Sequence, residues 1–213
     1  QGGKKTFEAK YYGEGGKKRE LHSEQEVRRV LDAVEWKTFS VTEVKEGVRT
    51  RHPAPPFTTS SLQQEASRKL GFTTKRAMMV AQQLYEGVEI GKKGPVGLIS
   101  YIRTDSVRVA NEAQEAALQR IKERYGEKYL PPKPNVYKGR AGAQDAHEAI
   151  RPTNLQNEPA AVREYLSNDQ YRLYKLVYER FLASQMADAT FATCQATFDC
   201  GGQTFRARGV RTA

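Results

Sequence analysis

A tyrosine and an arginine two residues apart are the side chains of this sequence best suited to phosphate chemistry. Tyr101 and Arg103 lie in the segment Gly-Leu-Ile-Ser-Tyr-Ile-Arg-Thr-Asp-Ser, residues 97–106. If the segment is extended, both side chains lie on one face. A phenol needs a neighbouring base or cation to become nucleophilic at neutral pH, and a guanidinium binds two phosphate oxygens at once. The spacing suits attack on a phosphodiester, although packing of Tyr101 at a strand end, with Arg103 paired to Asp105, also explains it.

Two other segments carry residues that suit phosphate binding. His147 and Arg151 are four residues apart, so a short helical turn would align them before Pro152 ends it. A histidine can donate a proton to a leaving oxygen or bind a phosphate, and a hydrogen-bonded structural histidine is the alternative. Residues 58–61 are Thr-Thr-Ser-Ser, directly before a predicted helix. These hydroxyls can contact phosphates or simply cap the helix.

Both ends of the chain show β-type patterning. Alternating residues and glycine-rich turns predict strands at 6–12 and within 36–51, and a hairpin over 191–208 around Gly201-Gly202. Gly47 predicts a turn inside the second of these segments. Between the first two strand regions, residues 24–35 have helical periodicity, with Ser23 as N-cap.

The middle of the chain is patterned as helices. Three prolines within residues 53–56 separate it from the β-rich start. Apolar periodicity and capping residues predict helices at 62–70, 75–86, 110–125 and 168–186, and the first two resemble a helix-turn-helix unit. Residues 131–143 are predicted to form a mobile loop. The expected fold is α+β: a discontinuous β-rich domain, 1–60 and 188–213, interrupted by an all-helical domain, 61–187.

Composition narrows the class of partner. The 213 residues carry 35 Lys+Arg against 25 Asp+Glu, a net charge of +10, which favours a polyanion such as nucleic acid. The surplus is 6 within residues 61–187 and 4 in the flanks, so charge does not locate the binding face.

The two cysteines have no zinc-site spacing, and we expect them to be structural thiols in a reducing compartment. No run of ~18 apolar residues predicts a membrane span. The chain lacks an initiator Met, and we expect it to be a piece of a longer protein.

Three motifs together resemble one enzyme family. They are Pro-Pro-Phe-Thr-Thr-Ser-Ser-Leu-Gln-Gln-Glu-Ala (55–66), Gly-Leu-Ile-Ser-Tyr-Ile-Arg-Thr-Asp-Ser (97–106) and Ala-His-Glu-Ala-Ile-Arg-Pro-Thr (146–153). In this order they resemble the bacterial type IA DNA topoisomerases, over essentially the whole chain. Topoisomerase III and reverse gyrase share these motifs, and the first motif and the spacing look more like topoisomerase I.

The resemblance assigns roles residue by residue. Tyr101 matches the nucleophile that forms the 5′-phosphotyrosyl link, and Arg103 matches the arginine that positions this tyrosine and the scissile phosphate. His147 matches a histidine involved in DNA binding and cleavage, and Asp105 assists the local hydrogen-bond network. The other matched positions are expected to support the site or bind DNA: Thr104, Ser106 and Arg151.

The resemblance also implies what lies outside this chain. The family binds Mg²⁺ through an acidic cluster of a separate Toprim domain, and no comparable cluster occurs here. The chain would then be the hinge and tyrosine domains of a cytoplasmic, nucleoid-associated enzyme. The resemblance implies that this enzyme relaxes negative supercoils without ATP and acts on single-stranded DNA. It would need the remaining domains of the same parent chain, so the isolated fragment is expected to be inactive in relaxation. The alternative is a non-catalytic nucleic-acid binding module of the helix-turn-helix type.

Overall fold

The chain folds into two compact units. The computed structural model describes residues 6–91, 94–138 and 147–212. One unit comprises Gln1–Arg51 with Ala189–Ala213, and the other comprises His52–Asp188. The expected first boundary was residue 60, whereas the units divide after Arg51. The proline segment belongs with the helices, because the Tyr137 hydroxyl donates to the Pro53 carbonyl oxygen, 3.2 Å away.

In the described residues, five α-helices and seven strands make the fold α+β, as expected. In chain order they are β1 (Lys10–Glu14), β2 (Lys17–Lys18), α1 (Glu24–Val34), β3 (Ser40–Arg51), α2 (Thr59–Leu70), α3 (Thr74–Glu86), β4 (Val88–Glu89), β5 (Pro95–Val96), α4 (Asn111–Tyr125), α5 (Asn168–Ser184), β6 (Ala189–Cys200) and β7 (Gln203–Thr212).

The β-rich unit is built on one antiparallel sheet with the strand order β2-β1-β7-β6-β3. The predicted hairpin is confirmed, since β6 and β7 pair through a turn in which Gly201 and Gly202 have φ of 60° and 79°. Residues without a side chain adopt this left-handed region at least cost. The turn predicted at Gly47 is wrong: Gly47 lies inside β3, opposite Thr193 of β6.

Few side chains of this sheet are buried. An aromatic cluster forms at one end, where the Tyr11 and Phe39 rings meet Phe205 edge-on at 5.7 and 5.2 Å. Among the described residues of the unit, Cys200 is the buried hydrophobic side chain. The helix α1 keeps its periodic Val27 and Leu31 exposed. Backbone pairing, rather than side-chain packing, therefore holds most of this unit together.

The other unit has a continuous apolar core. The long helix α5 runs through it and buries Leu173, Tyr174, Val177 and Phe181, among others. The helices α2 and α3 pack on α5 and on each other. Each begins at a threonine whose hydroxyl accepts a backbone N–H from the first turn, as expected for capped helices.

This unit, predicted to be all-helical, also contains strands and extended segments. The strands β4 and β5 form a small two-stranded sheet, and residues 147–153 are extended. The described part of the predicted mobile loop, 131–138, is anchored, since the Asn135 amide donates to the Ser184 and Met186 carbonyls at 3.0 and 2.7 Å. The remainder of that prediction, residues 139–143, lies outside the described residues.

Candidate active site

Backbone hydrogen bonds bring the three sequence motifs together. Phe57 pairs with Ile150, and Ile99 pairs with Pro152, each as an antiparallel bridge. The Ser100 hydroxyl also donates to the Ala149 carbonyl oxygen at 2.8 Å. Because these contacts join residues far apart in the chain, the motifs form one site within the helical unit.

Thr59 fixes the tyrosine segment to the start of α2. Its hydroxyl lies 2.7 Å from the Ile102 carbonyl oxygen and 3.0 Å from that of Thr104, and it accepts the Thr104 N–H at 2.9 Å. The Thr59 N–H donates to the Thr104 carbonyl oxygen at 2.9 Å. One threonine thus holds both sides of Arg103.

Burial alternates along this segment. Ile102, Thr104 and Ser106 are buried, whereas Tyr101 and Arg103 are exposed, and so is Asp105. The Thr104 hydroxyl accepts the Ser106 N–H at 3.0 Å, and the Ser106 hydroxyl accepts the Arg108 N–H at 3.1 Å. The buried members support the backbone, and the exposed members are free to meet a ligand.

Tyr101 lies between two other rings. It is 44% exposed. The Tyr85 ring meets it edge-on with centroids 5.5 Å apart, and the His147 ring stacks at 6.1 Å with an interplanar angle of 27°. Tyr85 was not predicted as a site residue, because it lies at the end of α3 and nothing in its local pattern distinguishes it from a packing residue.

A polar groove of about 610 Å³ opens at Arg103 and His147, and the His147 ring stacks on Tyr101. Three of its lining side chains are basic or titratable to a cation: Arg103, Lys138 and His147. Asp105 is its one carboxylate among the described residues. The hydroxyls predicted at the start of α2 also line it: Thr58, Thr59, Ser60 and Ser61. Lys138 was not predicted from the sequence as a site residue, since it lies in no recognised motif.

Arg151 lies apart from this groove. The helical turn predicted from His147 to Arg151 is wrong, because Ser100 pairs with the Arg151 backbone in both directions, at 2.8 and 2.9 Å, and keeps it extended. The Arg151 side chain donates to Glu148 at 3.0 and 2.7 Å and lines a separate cavity. Its phosphate contact stays a prediction.

The described parts of the chain, residues 6–91, 94–138 and 147–212, contain neither a grouped metal site nor a membrane-spanning helix. There, no three His, Cys, Asp or Glu side chains are grouped as an all-protein metal site would need. Over the same residues, no helix combines the length and the apolar character needed to cross a membrane. Cys194 is exposed and Cys200 is buried, and both are free thiols.

Comparison with known proteins identifies the family. The sequence model of the DNA topoisomerase family matches residues 2–213. The structure is similar to that of full-length topoisomerase I from Thermotoga maritima, with a TM-score of 0.76 and 35% sequence identity. The match covers 97% of this chain and 35% of that one, so the chain spans about a third of the relative's length. The chain belongs to the bacterial type IA DNA topoisomerase family.

Proposed function

We propose that this chain carries the nucleophile and the hinge of a type IA DNA topoisomerase that cuts and rejoins one DNA strand. The observation that carries the proposal is the position of Tyr101, which is exposed and stacks on His147, a residue that lines a groove with Arg103 and Lys138. Family membership supports the same activity. The enzyme would act on single-stranded DNA in the cytoplasm, at the nucleoid, and relax negative supercoils.

The proposed step is a transesterification. The Tyr101 hydroxyl oxygen bonds to phosphorus while the bond from phosphorus to the 3′-oxygen of the preceding nucleotide breaks. The phenol loses a proton and the 3′-oxygen gains one, so the charge balances. The new 5′-phosphotyrosyl ester conserves the energy of the phosphodiester. Strand passage and the reverse attack by the 3′-hydroxyl therefore need no ATP.

The residues around Tyr101 suit separate parts of this step. Arg103 and Lys138 line the same groove and would bind the phosphate oxygens, whose charge increases at the transition state. His147 is placed to bind the phosphate or to donate a proton. Asp105 lines the groove, where it would contribute to the hydrogen bonds made with a bound strand, while Thr104 and Ser106 hold the backbone.

The remaining requirement lies elsewhere in the protein. The described residues contain no cluster of three or more potential metal ligands. We therefore attribute Mg²⁺ binding to acidic residues elsewhere in the protein. By itself the chain is then expected to bind single-stranded DNA weakly, with a steep salt dependence, and not to relax supercoiled DNA.

A covalent-adduct assay tests the proposal. The chain is joined to the acidic metal domain of its family and incubated with single-stranded DNA and Mg²⁺, and the protein–DNA adduct is separated under denaturing conditions. Tyr101→Phe is expected to abolish the adduct, whereas Tyr85→Phe, which keeps the neighbouring ring, is the matched control and retains it. An adduct formed by Tyr101→Phe would contradict the proposal.

A helix-turn-helix binding module is the second candidate. The helices α2 and α3 are joined by Gly71, Phe72 and Thr73, with Gly71 in the left-handed region. This candidate predicts that DNA binding survives Tyr101→Phe and that the unaltered joined protein forms no adduct.

A further inference from the structure

A second polar cavity continues the groove at Tyr101 along α2. It has a volume of about 430 Å³ and shares Ser60 and Gln64 with the first cavity. The other residues that line it are Gln63, Ser67, Arg68 and Thr74. None of these six side chains is apolar or acidic. The two cavities therefore extend from Arg103 and His147, the neighbours of Tyr101, over the exposed side of α2 to the start of α3.

The residues that line this second cavity form a polar stripe, and the pattern of α2 explains most of it. The helix buries Leu62 and Ala66 in the core, and on the opposite side Ser60, Gln64 and Ser67 follow at helical spacing. The Gln64 amide donates to the Ser60 hydroxyl at 3.1 Å, which aligns them along the groove. Glu65, the one acid of the helix, is bound to Arg68 and Arg180 at 2.6 and 3.2 Å and does not line the cavity.

We infer that this stripe holds the cleaved DNA strand that stays attached to Tyr101. The inference rests on the proposed function: a 5′-phosphotyrosyl bond leaves the strand on the 3′ side of the break attached to this unit. Hydroxyls, amides and one arginine bind sugar and phosphate without selecting bases, which a topoisomerase that cuts many sequences needs. The stripe thereby keeps the attached strand in place while the other end moves.

The length of α2 limits the length of this contact. Twelve residues span about 18 Å, which matches at most about five stacked nucleotides at ~3.4 Å each. Affinity is therefore expected to rise with oligonucleotide length and to level off beyond about five nucleotides.

Binding of 5′-phosphorylated single-stranded DNA to the chain, measured by fluorescence anisotropy, tests this. Arg68→Glu is expected to weaken binding of a six-nucleotide strand about fivefold and to leave a dinucleotide almost unaffected. Arg28→Glu is the matched control, since Arg28 and Arg68 are 73% and 71% exposed and each is paired with a glutamate of its own helix. It is expected to change affinity less than twofold at either length.

Ser67→Asp is a second variant that leaves the Glu65 ion pairs intact, and it is expected to show the same length dependence. Equal effects of Arg68→Glu and Arg28→Glu, or an effect independent of length, would overturn the inference. The adduct assay separates the two proposals. An adduct at Tyr101 with no length-dependent effect of Arg68→Glu removes only the strand contact, and failure of Tyr101 to form an adduct removes the proposed function.

Discussion

The helical unit and the β-rich unit are stabilised in different ways. The helical unit contains nearly all the buried apolar side chains, and α5 alone contributes seven of them. In the β-rich unit, β3 and β6 pair along their whole length, yet Val44 and Val48 of β3 remain exposed. The unit with the candidate chemistry is therefore stabilised mainly by side-chain packing. The other unit is stabilised mainly by backbone hydrogen bonds between its strands.

This difference has consequences for rigidity. Side chains that interdigitate in a core resist displacement, because any shift loses many contacts at once. A sheet with solvated faces opens locally at a lower free-energy cost. The packed unit is therefore suited to hold Tyr101 and Arg103 in fixed positions. The β-rich unit is better suited to bend.

The largest expected effect comes from the core. Phe181→Ala removes a ring that is 1% exposed and is expected to lower the free energy of unfolding of the helical unit by about 3–5 kcal/mol. Urea unfolding followed by circular dichroism at 222 nm measures this. Phe181→Leu keeps most of the volume and should cost less than half as much. Equal losses for both variants would contradict the packed-core description.

A smaller effect is expected where the core meets the site. Thr59→Val removes a hydroxyl that shares its hydrogen between the Ile102 and Thr104 carbonyls and accepts the Thr104 N–H, and it should cost about 2 kcal/mol. It should also reduce adduct formation in the joined protein, since the backbone around Arg103 loosens. Thr59→Ser keeps the hydroxyl and is expected to restore both. A Thr59→Val protein with unchanged stability would show that this contact does not hold the segment.

The ion pairs of α2 predict a pH dependence. Burial alone would raise the pKa of Glu65, but Lys69, Arg180 and Arg68 outweigh it and lower that pKa. A lowered folded-state pKa stabilises the fold above the unfolded-state value of about 4.3, and the gain is lost as pH falls through the folded-state pKa.

Glu65→Gln is therefore expected to cost about 1 kcal/mol at pH 7, and the difference from the parent should shrink as the solution is acidified below the unfolded-state value. Urea midpoints between pH 3 and pH 7 measure it. Gln64→Ala, on the exposed side of the helix, is a control whose effect should not vary with pH. A constant Glu65→Gln effect would exclude the ion pairs as its cause.

The smallest effect is expected in the sheet. Val44→Thr replaces an exposed side chain and keeps the β-branch, so stability should change by less than about 0.5 kcal/mol. Hydrogen exchange followed by mass spectrometry, which measures each unit separately, checks this. A loss above about 1 kcal/mol, or one that depends on protein concentration, would mean that another surface covers this face in solution. Side-chain packing would then contribute to the stability of both units.

Local patterns in the sequence predicted most elements well. The capping threonines and glycines placed α2 and α3 within three residues of their observed ends, because a helix terminus depends on its own few residues. The glycine pair predicted the β6–β7 hairpin for the same reason. Gly47 misled, since a lone glycine fits a paired strand as well as a turn.

The candidate site was predictable only in part. The motif spacing predicted that Tyr101 and Arg103 lie on one face of an extended segment, and both are exposed while Ile102 between them is buried. The helical turn at His147–Arg151 failed, because Ser100, about fifty residues away, competes for the Arg151 backbone. Tyr85 and Lys138 were not predicted, since their proximity to the site comes from the fold and not from their neighbours in the chain.

The sequence by itself determined the family, the α+β class, most helix ends and the residue types available for phosphate chemistry. These depend on local propensity and on motifs that are contiguous in the chain. Only the tertiary structure decided that Tyr101 lies beside Tyr85 and His147, and that Arg151 turns toward Glu148. It also decided that the polar side of α2 continues the groove. The physical reason is that long-range backbone pairing and core packing select which residues meet, and neither can be inferred from the spacing of residues within a segment.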